Sequence, residues 1–279
     1  MFKSVFFEAI EIRGKDLATK ARLASKGGFE GVHVNLHELY ELGPERVNEI
    51  LGEYGLRVGG SFLPFSVAES EIGFERSLSE LPRLLKAASG AGCERISTWI
   101  TPCSDVLPYR ENFEFHVKRL KRVARTLSDY GCRLGLEFIG PFTSRRGHRF
   151  TFVHTLGEML KLCDAIGEGN VGILLDSWHW YTSRGTLDDI LALSDGDVVD
   201  VHLIDAPLGL SPEEQVDNRR KLPGETGAID CVGFLRALKG IGYQGPVVVE
   251  PFQEDLRNMS PEDVVLRVSK SLRDVWGKV

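Results

Sequence analysis

Short apolar runs alternate along the whole chain with longer stretches in which apolar positions recur every three or four residues. Runs that are apolar on both faces suit strands buried in a parallel sheet. The longer stretches suit amphipathic helices that carry the chain back over that sheet. Eight such pairs can be counted, with strands expected over 4–7, 31–36, 56–62, 95–100, 133–138, 171–176, 198–203 and 246–250.

The helical stretches carry their own punctuation. Phe113, Val117, Leu120, Ala124 and Leu127 keep one face, and Thr155 with Glu158 forms a capping box ahead of Met159, Leu162 and Ile166. Ser260-Pro261 supplies a cap and a first-turn proline, while Asp230 stands before Val232, Phe234, Leu235 and Leu238. Pro82 weakens the helix expected near 74–89, because proline lacks the amide hydrogen and crowds the preceding turn. Eight strand-plus-helix units in 279 residues predict the α/β class and a single (β/α)8 TIM barrel domain over 1–279, since such barrels run to about 250 residues around one core.

Four runs in the C-terminal half end in a residue able to hold a metal: Glu137, Asp176, His202 and Glu250. Each alone is explained as a polar residue closing a strand and facing solvent. Four in succession point to convergence, because charged groups at buried strand ends are costly unless they share a partner. Two glutamates, an aspartate and an imidazole suit a divalent cation, with Mn2+ favoured and Mg2+, Co2+ or Zn2+ as alternatives. His179 follows Asp176 by three residues between Trp178 and Trp180. Indole faces pack against the C–H side of a polyol while imidazole reaches its oxygens, so His179, Trp178 and Trp99 are candidate substrate-binding residues. After His202, residues 206–229 form a long loop rich in proline, glycine and acidic residues, expected on the C-terminal face where barrel active sites lie.

Composition removes several classes of function. The net charge is -6, from 34 basic and 40 acidic side chains, which argues against nucleic acid. The basic cluster Arg145 to Arg149 reads as solvated loop arginines. No apolar stretch approaches the ~18 residues of a membrane span. The N-terminus reads as a first strand and not a signal peptide, so a cytoplasmic location is expected. Five scattered cysteines without a C-x-x-C pair suggest neither disulfides nor a thiolate metal site.

Taken in order, Glu137-Phe138-Ile139-Gly140-Pro141, Leu175-Asp176-Ser177-Trp178-His179, Val201-His202-Leu203-Ile204-Asp205-Ala206, the segment from Asp217 to Asp230, Gly242-Tyr243 and Val249-Glu250 resemble the xylose isomerase-like superfamily of sugar isomerases and epimerases. Within it they resemble inosose isomerases and ketose 3-epimerases. The resemblance spans nearly the whole chain. It implies that Glu137, Asp176, His202 and Glu250 ligate the metal, that His179 and Arg220 contact substrate oxygens, and that Glu137 and Glu250 exchange protons. The ketose 3-epimerases place their arginine shortly after the metal histidine, where this chain has Leu208, whereas Arg220 fits the inosose isomerase pattern.

The expected substrate is therefore a ketose, inosose or related polyol, isomerised or epimerised through an enediolate. A keto-polyol dehydratase on the same scaffold is the alternative. An abasic-site nuclease of the endonuclease IV type is disfavoured, because strands three and four end near Phe62 and Trp99 and not in histidines. A barrel that has lost catalysis and only binds is a minority reading. His33, His37, His116, His148 and His154 receive no functional role, and the oligomeric state is open, a homo-oligomer included.

Overall fold

A computed structural model describes all 279 residues. The strands are β1 (Phe2–Val5), β2 (Gly31–His33), β3 (Arg57–Phe62), β4 (Arg95–Ile100), β5 (Cys103–Ser104), β6 (Arg133–Phe138), β7 (Phe150–Thr151), β8 (Val171–Asp176), β9 (Val198–His202) and β10 (Pro246–Val248). All but β5 and β7 join one closed parallel barrel, in the order β1-β10-β9-β8-β6-β4-β3-β2. β5 and β7 form a separate antiparallel pair. The helices are α1 (Leu17–Gly27), α2 (Leu36–Leu42), α3 (Pro44–Glu53), α4 (Glu71–Gly90), α5 (Tyr109–Ser128), α6 (Leu156–Ile166), α7 (Ser177–Thr182), α8 (Leu187–Leu191), α9 (Cys231–Gly240) and α10 (Pro261–Trp276).

The eight-stranded barrel and its helices follow the expected order, and the differences lie at element ends. The second strand stops at His33, because the Asn35 side chain accepts from the His37 amide and starts α2 at Leu36. An N-cap outweighs an apolar run there. The first strand sits at Phe2–Val5, and Phe7 leads into a 3-10 turn over Glu8–Ile10. The last strand ends at Val248, so Glu250 lies just beyond it. Pro82 is accommodated inside α4, whose face of Phe74, Leu81, Leu84, Leu85 and Ala88 is buried. That burial outweighs one missing backbone bond. The caps expected at Thr155, Asp230 and Ser260 all accept backbone amides.

Two features of the sheet set the site. A register shift between Ile173 and Leu174 leaves Asp176 directly opposite His202. Glycines in β3 clear the barrel interior, since a Cβ on Gly60 would stand 2.7 Å from His33 Nε2 and one on Gly59 2.9 Å from His33 Nδ1. No helix is long and apolar enough to cross a membrane.

Candidate metal centre and pocket

Glu137, Asp176, His202 and Glu250 meet at the C-terminal mouth of the barrel, each offering a ligand atom within 4.8 Å of the others. His202 Nδ1 is the hub, 3.3 Å from Glu250 Oε2, 3.7 Å from Glu137 Oε1 and 3.8 Å from Asp176 Oδ2. They come from β6, β8, β9 and the exit of β10, four consecutive strands of the closed order. Asp176 divides its carboxylate. Oδ1 caps α7 by accepting from the amides of Trp178 (2.7 Å) and His179 (2.9 Å), while Oδ2 faces the cluster. Ser177 ties the ends of β8 and β9 together, with Oγ donating to the Ile204 carbonyl and accepting from the Ile204 amide.

The donor set fits a divalent cation. Glu137 Oε1 and both ring nitrogens of His202 are buried without a hydrogen-bond partner, which is costly unless something else satisfies them. Burial pushes the Glu137 carboxyl well above the ordinary range, and the charges of Glu250 and Asp176 add to the shift although His202 opposes it. Burial pulls His202 down, but the negative charges of Glu250 and Glu137 outweigh it and carry the ring up to about 10. For Glu250 the upward push of burial loses to His202 and Arg220, which hold it low.

Below pH about 10 the His202 ring therefore carries a proton that a cation must displace. Apparent metal affinity is expected to rise with pH, by about tenfold per unit for each proton released, and to weaken as pH falls. Calorimetry between pH 6 and 8 in buffers of different ionisation enthalpy checks this. Affinity independent of pH, with no proton release, would count against ligation through His202.

Beside the cluster stands Arg220, fully buried. Its Nη1 donates to Asp176 Oδ2 and to Glu250 Oε2, both at 3.1 Å, and its Nη2 donates to Asp217 Oδ1 at 2.9 Å. The guanidinium lies 4.8 Å from the ring centres of both Trp178 and Phe252, a stacking that delocalised charge favours. Trp178, expected to pack against substrate, lies behind Arg220: it is fully buried and contributes nothing to the cavity wall. Trp99 does line the cavity and is 55% exposed.

His179 Nδ1 accepts from the Gly140 amide at 3.2 Å, which leaves the ring proton on Nε2. Burial draws this imidazole down to about 3 despite the pull of Asp176, so it is neutral at pH 7. Its Nε2 lies 3.1 Å from Arg220 Nη2. Two donors thus face one another at the cavity wall, and one oxygen acceptor would satisfy both. Gly140 permits this approach, since a Cβ there would lie 2.1 Å from the His179 carbonyl oxygen.

The 206–229 loop delivers Asp217 and Arg220, and Asp205 fastens it. Its buried carboxylate accepts from the amides of Ala206, Thr226, Gly227 and Ile229 at 2.7–2.9 Å. The cavity above the cluster holds about 600 Å³. Sequence reasoning passed over Glu8, Asn35, Ser61 and Phe252 in its wall, and also His33, whose Nε2 donates to Asp200 Oδ2 (2.8 Å) while its Nδ1 hydrogen-bonds with the Ser4 hydroxyl (3.1 Å). The available signal was position alone, since all lie near or just beyond the C-terminal end of a strand.

A family model described as xylose isomerase-like TIM barrel matches residues 21–275. The inosose isomerase of Bacillus velezensis is 24% identical over 291 aligned residues, 99% of this chain and 98% of that protein. A 3-dehydroshikimate dehydratase of Pseudomonas aeruginosa is 25% identical over 86% of this chain, which spans 37% of that longer protein. The solved structure of a xylose isomerase domain protein from Alicyclobacillus acidocaldarius has a TM-score of 0.89 and 31% identity, over 100% of this chain and 99% of that one. The IOLI protein, whose crystal structure has a binding zinc atom, has a TM-score of 0.83 at 21% identity over 100% of this chain and 99% of that one. At that identity the likeness is one of fold.

Proposed function

This chain belongs to the xylose isomerase-like TIM barrel family, and we propose that it is a divalent-metal-dependent isomerase or epimerase of a ketose or inosose, acting as one cytoplasmic domain. The observation that carries this reading is the glutamate pair. Glu137 and Glu250 reach the same cavity from the two outer strands of the ligand arc, with Asp176 and His202 between them. Both are buried and offer carboxylate oxygens to one cluster, positions from which one can take up a substrate proton and the other return one.

Held by Glu137, Asp176, His202 and Glu250, Mn2+ by preference would supply Lewis acidity, offsetting the charge that develops when a C–H beside a carbonyl loses its proton. Glu250, held ionised by Arg220, accepts that proton. Glu137 returns one on the other face, giving an epimer, or to the neighbouring carbon, giving a positional isomer. His179 and Arg220 hold one substrate oxygen between their facing donors, and Arg220 also fixes Glu250 and Asp176 in place. The dehydratase relative supports a second reading, in which the same proton abstraction is followed by loss of a hydroxyl one carbon further along.

Incubating the metal-loaded enzyme with a panel of ketoses and inososes in deuterated water tests the proposal. The expected result is deuterium at a carbon-bound position with no loss of water from the product mass. Loss of eighteen mass units would favour dehydration, and neither exchange nor water loss with any member would overturn both readings.

A further inference from the structure

The four ligands occupy one side of the barrel mouth. β4, β3, β2 and β1, which complete the closed order, contribute none. Their ends nevertheless line the same cavity, through Phe6, Glu8, Asn35, Ser61, Phe62 and Trp99. At the ~30 Å³ that a liquid water occupies, 600 Å³ holds about twenty waters, whereas a cyclitol with its oxygens has roughly twelve heavy atoms. One ring over the ligand cluster leaves much of this space to fill.

The walls of that remaining space have a definite character. Trp99 presents a half-exposed indole at the mouth, and the rings of Phe6 and Phe62 lie 5.2 Å apart, surfaces that suit the C–H face of a sugar or an aromatic ring. Ser61 is 1% exposed and its hydroxyl has no partner, so a ligand oxygen would relieve the cost of burying it. Charge sets a further limit. The single cation of the wall, Arg220, stands on the ligand side, where it is bound to Asp176, Glu250 and Asp217 and shares its remaining Nη2 donor with His179. The nearest ammonium to Glu8, on Lys20, is spent on Glu8 (3.2 Å) and Glu38 (2.9 Å). On the ligand-free side a phosphate or carboxylate would meet Glu8 and no free cation.

We propose that the ligand-free side of the cavity is a subsite for a second, uncharged ring, so that the substrate is a neutral two-ring glycoside of a keto-polyol and not a sugar phosphate. This rests on the reading above only for where the reacting ring lies.

Binding to the Mn2+-loaded full chain, followed by calorimetry and tryptophan fluorescence, tests it with probes that lack the reactive carbonyl. Galactinol is compared with myo-inositol, phenyl β-glucoside with methyl β-glucoside, and myo-inositol 1-phosphate with myo-inositol. At least one two-ring probe is expected to bind about tenfold tighter than its single-ring counterpart. Which one does so tells whether the second ring is a sugar or an arene. The preference is expected to vanish in Trp99→Ala and to shrink in Ser61→Ala, with the phosphate no tighter than the free cyclitol. No gain for either two-ring probe, or tightest binding by the phosphate, would overturn the subsite. A two-ring gain without isotope exchange would fell the isomerase reading alone, and exchange without the gain would fell the subsite alone.

Discussion

Replacing Glu250 with Gln, or Glu137 with Gln, is expected to lower turnover by about 10²–10⁴-fold, the usual contribution of a positioned acid or base. The amide is nearly isosteric but can neither take up the substrate proton nor ligate as an anion. The two variants are expected to differ in stability. In the metal-free protein Glu137 Oε1 has no partner and its carboxyl is pushed up toward the neutral form, so Gln there should leave the melting temperature nearly unchanged. Glu250 is paired with Arg220 at 3.1 Å and His202 at 3.3 Å, so Gln there strips charge from two buried cations and should lower it. Steady-state kinetics with thermal melts checks both effects. Full activity in both variants would contradict the assignment of either glutamate to proton transfer.

Asp205→Ala is expected to cost about 3–5 kcal/mol, because it leaves four loop amides without their shared buried acceptor. For a chain of this size that corresponds to a fall in melting temperature of roughly 6–15 °C. Activity should fall with it, since the loop that Asp205 fastens carries Arg220 to Asp176 and Glu250. Asp205→Asn, which keeps one acceptor oxygen, should lie between wild type and Ala. Denaturant melts of the two variants measure this, and unchanged stability in Asp205→Ala would show that the loop is held by other means.

The barrel was legible because its elements obey local rules: buried apolar strands, amphipathic helices and side-chain caps at Thr155, Asp230 and Ser260. The four ligands were legible for a related reason, since each is a polar residue where an apolar run ends. Roles that depend on layers of packing were not. Trp178 and Trp99 look alike in sequence, yet one supports Arg220 from behind and the other lines the cavity. Trp99 lies next to the last residue of β4 and Trp178 just after β8, where the turn of α7 after Asp176 buries the indole. His33 was given no role, and its ring is held by hydrogen bonds with Ser4 and Asp200. Its place in the cavity wall depends on the missing side chains of Gly59 and Gly60, which no pattern around His33 reports. The end of β2 was overrun because Val34 and Leu36 continue an apolar run that the Asn35 cap interrupts.

The claim on which the rest depends is that Glu137, Asp176, His202 and Glu250 bind one divalent ion together. Equilibrium titration of the metal-free protein with Mn2+ and Zn2+, for wild type and His202→Ala, tests it most directly. The account predicts one ion per chain and affinity lowered by at least about 100-fold in the variant, the upper range for losing even a group that supports a ligand. Undiminished binding in His202→Ala, or no binding of either ion by wild type, would contradict it.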